Sequence, residues 1–457
     1  MNFFKINMNR TVTSFLNNIR IILKLIFFTL ILAGFGCVRT GAPIPSLSSP
    51  HAVYEDYHSF LYPANNLHDP SISPNEKWFV YKYIEPWQGD RTLFYSSTEK
   101  QEKRPLPLPQ LEGTKEIRTV SAGDDWSPDG DLYAFEVDID YSDYIVVVRF
   151  SSEGAELIDF FEREGRMNSY NWYDNQKLVY IEYANHKESI VIKDYSESEI
   201  KKISTGVIAD NFALASNGTF LFTRRIVADA GKPYNELYLG DLNDEKPLSP
   251  KRIFKKLTIQ GYSISPDGKH ALLRLPDPDN VYPLESSWAL VDLEELTIVH
   301  RLPALNRFRW SPDGSKLAYG KEAEWIPNPH HPDKEFFFDK NFFIFDIATG
   351  QEKDYGIGIN DNDFSWGPKG NYIISTDKYS PETRQFGRST VYYEGIFIFR
   401  VRDGKEIGCI SKVSGHLDTA LSQNGNYVVW SYGDYNSGKH RIFFVHNQLN
   451  GLMYGTK

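Results

Sequence analysis

The chain has 457 residues, with 50 basic and 60 acidic side chains and a formal net charge of −10. That balance argues against nucleic acid as a partner, which would call for a basic face. Aromatic residues make up 15% of the chain and there are only two cysteines, Cys37 and Cys409, so a strand-rich fold is expected and a disulfide framework is not.

The N-terminal segment reads first. Lys5, Arg10, Arg20 and Lys24 precede an apolar run, "LIFFTLILAGFG" (25–36), that ends at Cys37. Twelve apolar or small residues are short for a membrane span and suit the core of a signal peptide. Small residues next to a cysteine resemble the lipobox of bacterial lipoproteins. The resemblance implies cleavage after Gly36 and lipid attachment at Cys37. Val38 follows the cysteine, so by the same resemblance no inner-membrane retention is signalled, and an outer-membrane site is implied if the cell is Gram-negative. Removing residues 1–36, which carry four bases and no acid, takes the net charge to −14. Residues 37–52 are rich in Pro, Ser and Gly and read as a flexible tether. Residues 53–457 then form one domain.

Within that domain one hairpin recurs eight times. It appears as "SISPNEKWFVY" (71–81), "DWSPDGDLYAF" (125–135), "NWYDNQKLVYI" (171–181), "ALASNGTFLFT" (213–223), "SISPDGKHALL" (263–273), "RWSPDGSKLAY" (309–319), "SWGPKGNYIIS" (365–375) and "ALSQNGNYVVW" (420–430). The spacing averages about 50 residues, the period of propeller blades. In the sixth copy, Pro312 and Asp313 suit the two central positions of a type I turn. Gly314 suits the positive φ of the bulge that follows. Glu76 and Gln176 stand at the glycine position of copies 1 and 3, where a different turn is expected.

Each hairpin is followed by a third strand, such as "YIVVVRF" (144–150) or "IFIFRVRDG" (396–404). A short fourth strand comes next, such as "EIKKIS" (199–204) or "TIVHRL" (297–302). Cys409 falls in such a fourth strand and reads as a buried thiol. Runs such as Ile396–Phe399 are apolar on both faces, as a sheet sandwiched between two others requires. The fold class is therefore all-β, a β-propeller of eight four-stranded blades, with seven as the alternative. An isolated blade would expose both apolar faces, so the units must stack and close.

These hairpins resemble the WD40-like PD40 repeats of TolB-type propellers and of the propeller in prolyl-oligopeptidase-type enzymes. The resemblance covers about residues 69–450 and implies fold, not function. The repeats fill the sequence to about residue 450, and no G-x-S-x-G elbow occurs, so peptidase chemistry is not expected. There is no P-loop and no H-E-x-x-H. No cofactor and no metal site is expected. His330 and His331 are adjacent, a spacing that diverges in an extended chain.

The resemblance places the loops between second and third strands on the face opposite the proline turns. Those loops are short in copies 2 and 3 and long in copy 6 ("KEAEWIPNPHHPDKEFFFDKN") and copy 7 ("DKYSPETRQFGRSTVYYE"). Long loops in compact domains often carry function. The candidate binding-face residues are Trp325, His330, His331, Tyr392 and Tyr393, with Trp87 of copy 1 facing them. The expected function is a membrane-tethered, extracytoplasmic, non-catalytic scaffold that binds an envelope protein, a peptide or a glycan. The alternative is a glycan hydrolase or lyase using channel-lining carboxylates.

Overall fold

The computed structural model describes residues 57–446 except 63–66, 85–90, 100–102, 110–116, 120–125, 163–169, 185–186, 198, 207–211, 227–233, 244–250, 255–260, 276–286, 303–304, 306–307, 328–334, 357, 361–363, 380–391, 405, 412–415, 423 and 435–438. A strand β1 (Tyr57–Tyr62) precedes the repeats. Repeat 1 holds β2 (Leu67–Ile72), β3 (Trp78–Ile84), β4 (Arg91–Ser97) and β5 (Arg104–Pro105). Repeat 2 holds β6 (Ile117–Thr119), β7 (Leu132–Ile139), β8 (Ser142–Ser151) and β9 (Gly154–Glu162). Repeat 3 holds β10 (Tyr170–Trp172), β11 (Lys177–Ala184), β12 (Lys187–Asp194) and β13 (Glu199–Gly206). Repeat 4 holds β14 (Phe212–Leu214), β15 (Thr219–Ile226), β16 (Tyr234–Asp241) and β17 (Lys251–Phe254). Repeat 5 holds β18 (Gly261–Ile264), β19 (His270–Leu275), β20 (Ser287–Asp292) and β21 (Thr297–Leu302). Repeat 6 holds β22 (Phe308–Trp310), β23 (Lys316–Pro327), β24 (Glu335–Asp346) and β25 (Gln351–Asp354); β26 (Gly358–Asn360) follows it. Repeat 7 holds β27 (Phe364–Trp366), β28 (Tyr372–Tyr379), β29 (Tyr392–Arg400) and β30 (Glu406–Ser411). Repeat 8 holds β31 (His416–Leu421), β32 (Tyr427–Asp434) and β33 (Lys439–His446).

Every sheet is antiparallel, and the protein is an all-β propeller. Counted by continuous hydrogen bonding among the described residues it has seven sheets, the alternative the sequence leaves open, and not the eight separate blades of the first expectation. Six sheets have four strands, and repeats 6 and 7 share one of nine. The reason is β26, which pairs with β24 at Phe338 and Asp339 and with β28 at Lys378 and Tyr379. All eight proline-type hairpins are nevertheless present. Repeat 8 obtains its fourth strand from β1, which runs antiparallel to β33 from Tyr57↔Val445 to Tyr62↔His440.

The recurring turn is built as its residues dictate. The Gly314 N–H donates to the Ser311 carbonyl (2.9 Å), and Gly314 sits at φ 72°. A Cβ on Gly314 would come within 2.7 Å of Asp267 Oδ1 in the preceding repeat, so glycine answers both the backbone and the close approach. The serine ahead of the proline has a role that the pattern alone does not reveal. Ser127, Ser265 and Ser311 are fully buried. Each hydroxyl donates to the Asp two residues on, at 2.6–2.7 Å. Each also accepts the N–H of the residue that opens or adjoins the second strand, Leu132, His270 or Lys316, at 2.9 Å. Hydrogen bonds of this kind offset the cost of removing a buried hydroxyl from water.

The two exceptional turns diverge. Glu76 keeps the left-handed conformation (φ 60°) despite its side chain. Its carboxylate accepts hydrogen bonds from the backbone N–H and side-chain amide of Asn426 in repeat 8. Bonds to a charged group are worth about 1.5–3 kcal/mol, enough to offset the ~1–2 kcal/mol of left-handed backbone. Repeat 3 has a shorter turn, shared with repeat 4: the Tyr173 N–H donates to the carbonyl of Lys177 and the Ala215 N–H to that of Thr219, four residues on, where Ser311 reaches Lys316, five on.

The core lies between repeats, as apolar faces on both sides require. Phe79, Tyr81, Ile72 and Val429 join repeats 1 and 8. Phe135, Val146 and Phe150 of repeat 2 meet Val80, Leu93 and Tyr95 of repeat 1. Phe342, Ile344, Ile373 and Phe397 join repeats 6 and 7. Burying one such side chain is worth roughly 1.5–3 kcal/mol. Tryptophans of the first strands stitch the same seams: Trp126 Nε1–H donates to Ser71 Oγ and Trp310 Nε1–H to Ser263 Oγ, both at 3.0 Å.

Candidate functional site

Antiparallel order fixes two faces. The proline turns and the turns from third to fourth strands share one face. The connections between second and third strands, and those from repeat to repeat, share the other. On that second face the structure corrects one sequence expectation. Most of the long segment expected as a loop in repeat 6 is strand: β23 and β24 are each twelve residues and pair through Trp325↔Phe337 and Pro327↔Glu335. The aromatic and β-branched residues of "EWIP" and "EFFFD" suit a pleated ladder and outweigh the charges that made the segment read as loop. The result is a hairpin arm reaching past the ordinary length of a blade.

Three of the six candidate residues lie on described backbone. Trp325 is on β23, and Tyr392 and Tyr393 are on β29 opposite Tyr379 and Lys378. β26 bridges the two hairpins beside them, since Lys378 and Tyr379 are the residues it pairs with. Strand pairing thus brings Trp325 and the Tyr392–Tyr393 pair into one sheet. Trp87, His330, His331 and Cys37 lie outside the described residues.

The base of the arm is electrostatically fixed. Lys321 Nζ donates to Glu352 Oε1 at 2.6 Å and lies 4.1 Å from the centre of the Phe343 ring. The Tyr319 hydroxyl donates to the other oxygen of Glu352. Burial, and then that hydrogen bond and the carboxylate charge, push the Tyr319 hydroxyl far above the usual tyrosine range, so it stays a donor. Lys321, Glu352 and Tyr319 therefore tie β23 to β25 where the arm leaves the blade.

A second feature lies on the first strands, which come closest where neighbouring repeats converge. β2 lies against β31 across the ring closure. Each strand carries a register shift, between His68 and Ser71 in β2 and between His416 and Thr419 in β31, the second lying one residue farther from its turn. Each shift places one extra residue against the partner, a bulge of the kind found beside active sites. Asp69 is the first residue inside its shift and Asp418 the second inside its own. Sequence reading could have found this pair by aligning the residues five before the turn position that Pro74 holds in repeat 1 and Gln423 in repeat 8. Among the described residues, no group of three or more His, Cys, Asp or Glu converges as a metal site.

No family model matches the chain, and no curated protein matches it by sequence. Solved structures do align with it. The Dos1 propeller is 11% identical, covering 84% of this chain and 94% of that one, with a TM-score of 0.48. The β-propeller domain of the Trilobed protease from Pyrococcus furiosus is 14% identical over 77% of this chain and 99% of that one, at 0.43. An oligogalacturonate lyase from Vibrio parahaemolyticus is 10% identical over 84% and 98%, at 0.45. This is likeness of fold alone. At such identities and scores none of the three says what this chain binds or does.

Proposed function

We propose that the chain is a PD40-type propeller of the cell envelope, anchored by lipid at Cys37 and serving as a non-catalytic scaffold for a protein, peptide or glycan. The hairpin arm carries the reading. A hairpin of two twelve-residue strands costs ordering entropy that a short loop avoids. Here it is braced at its base by Lys321 and Glu352 and at its flank by β26. Such bracing pre-organises a surface and lowers the entropic cost of binding. Trp325, Tyr392 and Tyr393 are the residue types that dominate binding energy at interfaces. His330, His331 and Trp87 complete the proposed face. The test is a pull-down from solubilised envelope with the full chain and with variants shortened within 321–341 and 377–394. Loss of the captured partners in the shortened variants is expected; an unchanged set overturns the assignment of this face. Cys37→Ser is expected to release the protein from membranes, and its retention there would overturn the anchor.

One observation favours a second reading, a glycan hydrolase or lyase. Asp69 and Asp418 each lie within a register shift of β2 or β31, two first strands that lie against each other. Paired carboxylates are the working groups of glycosidic cleavage. Release of reducing ends from envelope polysaccharide by the wild type, abolished by Asp69→Asn and Asp418→Asn, would establish this reading. No release by the wild type would remove it.

A further inference from the structure

The face of the proline turns holds a cleft of about 400 Å3 between repeats 1 and 2. It lies across the molecule's connection pattern from the arm and does not depend on the reading given to the arm. Its floor is aromatic. Tyr95 and Phe150 are buried, with ring centroids 5.3 Å apart and edge to face. Trp78, half-buried, lies 5.8 Å from Tyr95 and 5.3 Å from Phe150. Tyr95 is further fixed because its hydroxyl accepts the Ala155 N–H at 3.1 Å.

This floor is particular to one seam. Trp78 is the residue whose N–H meets the turn serine. The equivalent residues elsewhere are Leu132, His270, Lys316 and Tyr427. Only repeat 1, among the repeats sharing this hydrogen bond in the described residues, places an indole there. The rim is charged in both senses. Lys77 and Arg104 supply donors, and Glu99 and Asp131 supply acceptors. Two of these side chains are already oriented: Arg104 Nη1–H donates to the Glu153 carbonyl (3.1 Å), and Asp131 Oδ1 accepts from Asn75 Nδ2 (3.0 Å).

We infer that this cleft is a binding site for a neutral saccharide of one or two rings. Its volume is near the lower end of small-molecule pockets, roughly 300–1,000 Å3. An indole on a rigid aromatic bed offers an apolar surface for the C–H face of a pyranose, with a polar handle beside it. Two cations against two carboxylates give no preference for an anion such as phosphate or a uronate. They suit a ligand whose hydroxyls both donate and accept.

The test is calorimetric titration of the full chain with methyl glycosides of glucose, galactose and N-acetylglucosamine, the corresponding disaccharides, free amino acids and inorganic phosphate. At least one neutral glycoside or disaccharide is expected to bind with a Kd near 1 mM or tighter, about −4 kcal/mol. Trp78→Leu, which installs the residue of repeat 2, is expected to weaken it at least tenfold. Glu99→Gln, at an exposed position where folding is not at stake, is expected to weaken it several-fold. Deletion within 328–334 of the arm should leave it unchanged, which separates this site from the proposed scaffold face. Binding of no neutral saccharide by the wild type, binding of amino acids or phosphate alone, or affinity untouched by both Trp78→Leu and Glu99→Gln would overturn the inference.

Discussion

Repeats 1 and 8 are joined differently from repeats 6 and 7. At the ring closure, among the described residues, the two repeats keep separate sheets and meet through side chains: Ile72, Phe79, Tyr81 and Val429, together with Glu76 and Asn426. At the other junction β26 runs a backbone ladder from one repeat into the next. Both junctions bury apolar side chains, so the repeat does not by itself dictate how neighbours are fastened. A seam of side chains depends on shape and tolerates slight movement. A ladder fixes register and makes two units into one plate, which is where the arm stands.

Four perturbations probe that contrast. The largest effect is expected from deleting Tyr57–Tyr62, which leaves β33 as a bare edge. The melting temperature should fall by more than about 5 °C, with concentration-dependent aggregation seen by light scattering. Val429→Ala opens a cavity in the packed seam and should cost about 2–3 kcal/mol in denaturant titration. A cost below about 0.5 kcal/mol would show that the seam is not tightly packed. Ile359→Pro removes a donor from β26. It should speed amide exchange in residues 335–340 and 377–379 while moving the melting temperature by less than about 2 °C. A global loss of stability would make the ladder an essential closure instead of a local brace.

The smallest effect concerns Asp313, whose turn borders Gly370 of repeat 7. Burial alone would raise its carboxyl, but hydrogen bonds from Ser311 and Ser315 outweigh that and hold it below the usual 3.8. The folded state therefore favours the ionised form. Its contribution is present above the unfolded value, near pH 4, and is lost as pH falls through the lower folded value. Melting curves of wild type and Asp313→Asn should differ at pH 6 and converge as pH falls below the lowered folded value. Parallel curves throughout would contradict this.

Chemistry confined to a few neighbouring residues was readable in the sequence. Ser-Pro-Asp-Gly predicts its own turn, and "TIVHRL" is a fourth strand over Thr297–Leu302. Cys409 lies on the fourth strand β30. What depends on distant partners was not. β26 is three residues of "GIGIN", too short to announce itself, yet it decides the number of sheets. "YHSFLY" carries no sign that its partner lies at the other end of the domain. Glu76 breaks the glycine pattern because of Asn426, a reason no local window contains. The arm was misread because polar residues and prolines around 328–334 resemble a loop. Of the candidate face, Trp325 lies on β23 and Tyr392 and Tyr393 on β29 of the same sheet, with β24, β26 and β28 between them. The aromatic cleft was missed because Trp78, Tyr95 and Phe150 belong to different strands of two repeats.

The closing strand also sets an order in time. Tyr57 leaves the ribosome about 390 residues before Val445, the residue it finally faces. Contacts so distant along the chain are slow to form. Until the last hairpin is made, β1 has no template, and any prematurely terminated product would carry an orphan strand at its start. Closure is thus checked by the fold itself: the first strand can be seated only by a chain that has been made as far as β33.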